Sequence, residues 1–560
     1  MGSRFKLYIF MLAGMALLTF AGCGGGGPTG TPPRTTTYTI GGTVSGLSGT
    51  GLVLQDNGGD DLPVSADGAF TFTTPIPSGG VYAVTVLTQP SSPAQSCLVT
   101  NGGGIATADV TNVQVACGAP GHSEWMWESG SDLVNQPGVY GTQGLPAPSN
   151  TPGGRLPACS WPDASGNFWL FGGYATETYV GEGERNDLWK FTPSAGEWTW
   201  MGGSNTFEQP GTYGTQGTPA PGNIPGARYA AACWTDPLGN FWLFGGLGFS
   251  STGTRSELND LWRYAGGEWT WMTGSNVAAE PGTAGAWQGT GTYGTKGVAD
   301  PANSPGVREW ASTWTDRSGS LWLFGGGGVD SKGTGGLLND LWKYSAGEWT
   351  WVGGSNIADQ YGVYGSLGLP SPSNTPGARF GTSSWTDANG NFWLFGGDGA
   401  DVNGIRCQET APPCNLSDLW RYGSGEWTWM GGPDQNNEPG VYGTQGVAAA
   451  DNIPPPRNTA TSWIDAAGNF WLFGGLGPWD YNDLWKYSGG EWTWVSGSNQ
   501  SGQTGTYGTQ GTPAASNVPG CRDGAVGWID LSGNLWLFGG FDVLTIAFGG
   551  KFNDLWKYQP

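Results

Sequence analysis

The five residues Trp-Leu-Phe-Gly-Gly recur unchanged six times in this chain, beginning at Trp169, Trp242, Trp322, Trp393, Trp471 and Trp536 and spaced 65 to 80 residues apart. A chain built on a recurring unit makes one small structure many times, so the unit constrains the fold before anything else does. In the second copy it reads as four strand-like runs, a to d: Arg228 to Thr235, Phe241 to Phe244, Asp260 to Tyr264 and Glu268 to Met272. Trp, Tyr, Phe, Thr and Leu suit a pleated surface, while Gly, Asn and Asp punctuate the runs. The link Asp236-Pro237-Leu238-Gly239-Asn240 predicts a tight hairpin, with Gly239 free to take the left-handed position. Four antiparallel strands cannot bury their faces alone, so the copies must stack. Radial stacking is the β-propeller.

The order of the runs favours a closed ring over an open stack. The sixth copy reaches Pro560 without a run d, whereas Glu124-Trp125-Met126-Trp127, ahead of the first copy, has the run d pattern. Pairing the two closes the ring and removes its exposed sheet edges.

These residues resemble the kelch repeat: a double glycine ends one strand, an aromatic pair spans the next hairpin, and an Arg opens the innermost strand. The resemblance covers residues 119 to 560. It implies a six-bladed kelch-type β-propeller, here with unusually long d-to-a loops and dense Trp. Kelch-type propellers include the copper enzyme galactose oxidase, whose site resembles two Tyr, two His and a Tyr-Cys crosslink. This chain has one His, His122, before the first blade, so neither that copper site nor Ser-His-Asp or Cys-His catalysis can be assembled. No cofactor or metal is expected.

Ahead of the ring the text changes. Residues 1 to 22 carry Arg4 and Lys6, then an apolar run from Leu7 to Phe20, and read as a signal peptide. Ala21-Gly22-Cys23 resembles a bacterial lipobox and makes Cys23 the lipidation candidate. An ordinary secretory signal cut nearby is the plainer reading. Residues 23 to 37 form a Gly/Pro/Thr-rich tether. Residues 38 to 118 alternate Val, Thr and Tyr, as in Tyr82-Ala83-Val84-Thr85-Val86, and read as a small immunoglobulin-like or prealbumin-like β-sandwich of about seven strands, serving as a spacer. Cys97 and Cys117 lie on its last two runs and are expected to pair in an exported protein. Cys407 and Cys414 are expected to clamp an inserted loop; a metal site there lacks a second Cys/His pair. Cys159 and Cys233 fall four and five residues after their blade's Arg, so their side chains are expected on opposite strand faces. Neither they nor Cys521 are assigned a partner.

The formal net charge of -22 excludes nucleic-acid backbone binding, which needs clustered Lys and Arg. Of the 33 Trp, 30 occupy repeated scaffold positions and read as packing; Trp287, Trp310 and Trp479 do not. All three map to the end of the blades shared by the d-to-a and b-to-c connections, where length varies most, and that end reads as the functional face. There each blade also carries a Tyr fifteen residues before its Arg: Tyr140, Tyr213, Tyr293, Tyr364, Tyr442 and Tyr507 precede Arg155, Arg228, Arg308, Arg379, Arg457 and Arg522. The six Arg either form a cationic ring for an anionic ligand or pair with the aspartate of each blade's Asn-Asp. Glu309 and Asp523, each following such an Arg, are candidate paired carboxylates for glycoside hydrolysis.

The expected protein is a lipid-anchored bacterial envelope component, at the outer membrane or cell surface, that binds a protein or glycan ligand on the long-loop face without catalysis. A polysaccharide-active enzyme and a purely structural surface protein are the alternatives.

Overall fold

A computed structural model describes residues 36–92, 95–118, 123–178, 181–278, 289–404, 414–542 and 549–560. Every regular element among them is a β-strand. The expectations for residues 1 to 22 and for Cys23, His122, Trp287 and Cys407 lie outside the described residues.

The chain divides into two compact units, Met1–Pro120 and Gly121–Pro560. The first holds ten strands, of which two contain two residues each. Eight of the ten form two four-stranded sheets. Alternation along them sends Val44 and Val115 from one sheet and Leu54 and Val84 from the other into a single apolar core. One pairing is parallel, Val110–Gly118 against Ile40–Ser45. Cys97 and Cys117 face each other across neighbouring strands and form a disulfide with Cα atoms 4.0 Å apart.

Among the described residues the second unit contains six sheets of four or five strands, one for each copy of the repeat, and two small two-stranded sheets. In the second copy Ala232–Thr235, Phe241–Phe249, Arg255–Ala265 and Glu268–Thr273 pair antiparallel in that order, with Trp234 opposite Trp242 and Trp262 opposite Trp271. The a-to-b turn is fixed by its aspartate: Asp236 Oδ1 accepts the N–H groups of Leu238 and Asn240, and Oδ2 accepts Trp242 Nε1–H at 2.9 Å. In the sixth sheet the outer strand is Trp125–Ser129, paired with Leu555–Tyr558. Each inner strand touches the inner strand of the next copy, and the last, Val526–Ile529, touches the first, Cys159–Pro162. The sheets therefore stand in a ring, the arrangement of a β-propeller.

Aromatic side chains fill the space between sheets. Trp161 of the first stacks on Phe241 of the second with centroids 5.1 Å apart, and Trp314 of the third stacks in the same way on Phe392 of the fourth. The double glycine lets the sheets approach. Gly245 has φ +65°, and a Cβ there would lie 2.7 Å from the carbonyl oxygen of Arg308 in the next repeat, so no side chain is tolerated.

Two features of the ring join residues distant in sequence. The long d-to-a loops owe their length to edge protection: each runs down the outer strand of its sheet, bridging Ala147 to Trp198, Ala220 to Trp269, Asp300 to Trp349, Ser371 to Trp427, Ala449 to Trp492 and Ala514 to Trp125. Cys159 and Cys233, unassigned from sequence, form a disulfide. Their opposite strand faces are the reason. Cys159 shares the face of Trp161, which looks toward the second sheet; Cys233 lies opposite the face of Trp234, whose Nε1–H reaches forward to Trp322 O, and so looks back toward the first. At the position of Cys233 in the third repeat, Thr313 likewise reaches back, donating to Cys233 O at 3.0 Å.

Candidate functional site

The six arginines do not form a ring open to an anionic ligand. Each is 1 to 2% exposed. Each makes a two-pronged ion pair, at 2.6 to 2.9 Å, with the Asn-Asp aspartate of its own sheet: Arg155 with Asp187, Arg228 with Asp260, Arg308 with Asp340, Arg379 with Asp418, Arg457 with Asp483 and Arg522 with Asp554. The repeated Tyr donates its hydroxyl to the same carboxylate at 2.6 to 2.7 Å, as Tyr293 does to Asp340, and the run c Trp donates Nε1–H to it as well. A buried charge needs such partners, and this constellation saturates the carboxylate. Meanwhile the Arg backbone belongs to the preceding repeat: Arg155 N–H donates to Phe552 O, and Arg155 O accepts from Gly540 N–H. One residue therefore ties two sheets together.

Immediately after these arginines the copies diverge. The next residue is Leu156, Tyr229, Glu309, Phe380, Asn458 or Asp523, and the one after it is Pro157, Ala230, Trp310, Gly381, Thr459 or Gly524. The second set encircles the mouth of the ring. Each N–H donates to the carbonyl of the previous repeat, from Ala230 to Pro157, Trp310 to Ala230, Gly381 to Trp310, Thr459 to Gly381 and Gly524 to Thr459. Reaching that carbonyl takes a left-handed backbone, with φ +53° to +65° from Ala230 to Gly524. Proline at 157 has no N–H, so the circuit is open between the sixth and first repeats. Inside, the inner strands of the second to fifth repeats line a cavity of about 310 Å³ walled by Thr, Ser and Trp.

Trp310 sits in this circuit, half-buried, its ring 6.5 Å from that of Phe380. Trp479 is 50% exposed in the b-to-c loop of the fifth repeat. That loop is anchored beside the mouth, since Leu476 bridges both Asn458 and Asp480. The two tryptophans thus lie at the same end of the ring, in different repeats.

Glu309 and Asp523 are not neighbours. They belong to the third and sixth repeats, opposite each other in the cyclic order of inner strands. Glu309 instead approaches Glu257 of the second repeat. Burial pushes Glu309 up to about 7, and burial together with the charge of Glu309 pushes Glu257 up to about 7. Glu309 Oε2 has no hydrogen-bond partner among the described residues. The nearby cation is already engaged: Arg255 holds Glu184 at 2.6 Å, as Lys551 holds Glu182 at 2.6 Å, so charge pairs cross from sixth to first and from first to second repeat and stop before Glu309. Asp523 is likewise raised to about 7 by burial, although Thr459 donates to it. Glu257 gives no sign of itself in the sequence, where it is one acidic residue three positions before an Asp. Cys414 is disulfide-bonded. Cys521 is buried and its thiol is pushed up by burial, which keeps it protonated. Among the described residues, no three His, Cys, Asp or Glu side chains are placed to hold a metal ion.

No family model matches this sequence, and no curated protein matches it. Solved structures do, among them one titled "Structure of YjhT", aligned over 72% of this chain and 95% of its own at 12% identity with a TM-score of 0.41. That likeness is too slight to carry weight, and the propeller stands on the strand pairing described above.

Proposed function

We propose that this chain is a non-catalytic binding platform of the bacterial cell envelope: a six-bladed kelch-type propeller on an immunoglobulin-like or prealbumin-like β-sandwich spacer, lipid-anchored through Cys23, that takes a protein or glycan ligand at the mouth of the ring. The carrying observation is the contrast at consecutive positions. The repeated Arg, Asp and Tyr satisfy one another inside the sheets, whereas the residue after each Arg differs in every copy and the next position places Trp310 beside the mouth, with Trp479 exposed at the same end. An aromatic that the scaffold does not require can stack on a sugar or anchor a partner. The test is binding of the full mature protein to a glycan array and to envelope extracts, comparing wild type with Trp310→Ala and Trp479→Ala. Loss of signal with unchanged folding supports the site, and unchanged signal removes it. The anchor is tested separately: Cys23→Ser should abolish fatty-acid incorporation and release the protein from membranes, and unchanged fractionation with an unmodified wild-type Cys23 would refute it.

The enzyme reading has one observation in its favour, the Glu257 and Glu309 pair. Glycoside hydrolysis needs one carboxyl kept protonated and its partner ionised. Here both are pushed to about 7, so neither is held as the ionised partner.

A further inference from the structure

Three cavities of the second unit recur with the repeat. They measure about 530 Å³ between the first and second sheets, 470 Å³ between the third and fourth, and 360 Å³ between the fifth and sixth. Each lies under a d-to-a loop and shares no lining residue with the circuit at the mouth, and each has the same walls: the Asn of Asn-Asp, a Gly-Ser pair ending run d, and a Gln in the loop.

The walls are held open by their own hydrogen bonds. Asn339 accepts Ser355 N–H at 3.1 Å and donates to Pro376 O at 3.2 Å, and Asn186 and Asn482 make the equivalent pairs. Gln209, Gln360 and Gln503 each give Nε2–H to a carbonyl of their own loop at 2.7 to 3.1 Å. No described residue donates to their Oε1, which is left to accept from a ligand. The third-to-fourth cleft is flanked by Tyr361, 57% exposed. Its charged lining residues are one Lys and one Glu, the fifth-to-sixth cleft has Glu124 alone, and the first-to-second cleft has none. Neutral amides and hydroxyls beside an aromatic suit a sugar ring, which offers hydroxyls at its edge and C–H groups on its face. The volumes are those of small-ligand sites, about 300 to 1,000 Å³.

We infer that these inter-sheet clefts bind uncharged glycan, several units per protein, so that a repeating polymer gains avidity from sites repeated around the ring. This rests on the reading of the chain as a binding platform and selects glycan over protein.

The experiment is calorimetric titration of the full mature protein with neutral gluco- and manno-hexasaccharides, using wild type, Ser373→Trp and the double variant Trp310→Ala/Trp479→Ala. Ser373 is exposed in the loop and lines the third-to-fourth cleft, so Trp there occupies the cleft from its loop side without replacing a strand residue. The expected result is a stoichiometry above one that Ser373→Trp lowers with unfolding unchanged, while the mouth variant removes the mouth's own site and leaves the cleft sites bound. A stoichiometry of one that only the mouth variant abolishes overturns the cleft sites and leaves the mouth reading standing. Absence of binding to every neutral oligosaccharide overturns the cleft sites whatever the envelope extracts show.

Discussion

Arg308 and Glu309 are neighbours in the chain and opposites in what surrounds them. Arg308 is 1% exposed and is answered by Asp340 with two hydrogen bonds. Glu309, one residue on, faces Glu257, and its Oε2 has no partner among the described residues. All six copies have Arg at the first position and no two share a residue at the second. The first position solves a problem every sheet has, joining itself to the preceding one. The second solves none of them, so it is free to differ and, on our reading, to serve a ligand.

The largest effects should come from breaking the shared side of this comparison. Asp340→Ala strands a buried guanidinium and should cost about 3 to 5 kcal/mol in denaturant unfolding. Trp125→Ala, which removes a buried aromatic from the strand that completes the sixth sheet, should cost about as much. An intact ring with either loss below about 1 kcal/mol would show that these contacts are dispensable. Next, Cys159→Ser/Cys233→Ser opens a cross-link spanning 74 residues between the first two sheets and should lower stability by about 2 to 4 kcal/mol. No change on reduction of the wild type would contradict it.

The unshared side should respond to pH with a smaller amplitude. Glu257 and Glu309 rise from an ordinary 4.5 to about 7 in the fold. Between those values the folded chain holds more protons than the unfolded one, so their contribution is complete below pH 4.5 and is lost as pH rises through 7. Asp316, held down to about 2 despite its burial by hydrogen bonds from Ser318 and Trp322, acts in the other direction, and its contribution is lost as pH falls through about 2. Unfolding free energy should therefore decline from about pH 5 to 7, by roughly 1 kcal/mol per glutamate after solvent screening, with the melting temperature falling alongside. Glu257→Gln/Glu309→Gln should reduce that decline to the part carried by Asp523, which burial also raises to about 7. A double variant with the wild-type slope would mean that other groups titrate there.

The parts legible in the sequence were those that burial dictates. Trp161, Trp234 and their equivalents had to be packing, because strand periodicity and repetition leave aromatics no other place. The pairing of each Arg with the Asn-Asp carboxylate was one of two readings, and burial of the guanidinium selected it. What could not be read depended on neighbours distant in sequence. Opposite strand faces seemed to separate Cys159 from Cys233 until the ring set one strand beside the other. Long d-to-a loops suggested a binding surface, yet they cover the outer strands, as Ser371 does at Trp427. Glu257 became visible only when the second repeat's hairpin carried it to Glu309.

The central claim is that scaffold and site occupy adjacent positions in one repeat. Its most direct measurement is paired unfolding and glycan-array binding of Asp340→Ala and Trp310→Ala. Ala230 already holds the left-handed conformation at the equivalent place in the second repeat, so the backbone accepts alanine. Trp310→Ala should change unfolding by less than about 1 kcal/mol while weakening binding, a hot-spot aromatic being worth about 2 kcal/mol or more, whereas Asp340→Ala should destabilise the ring by about 3 to 5 kcal/mol. Equal destabilisation by the two, with array binding untouched by Trp310→Ala, would contradict the account and make Trp310 one more packing residue.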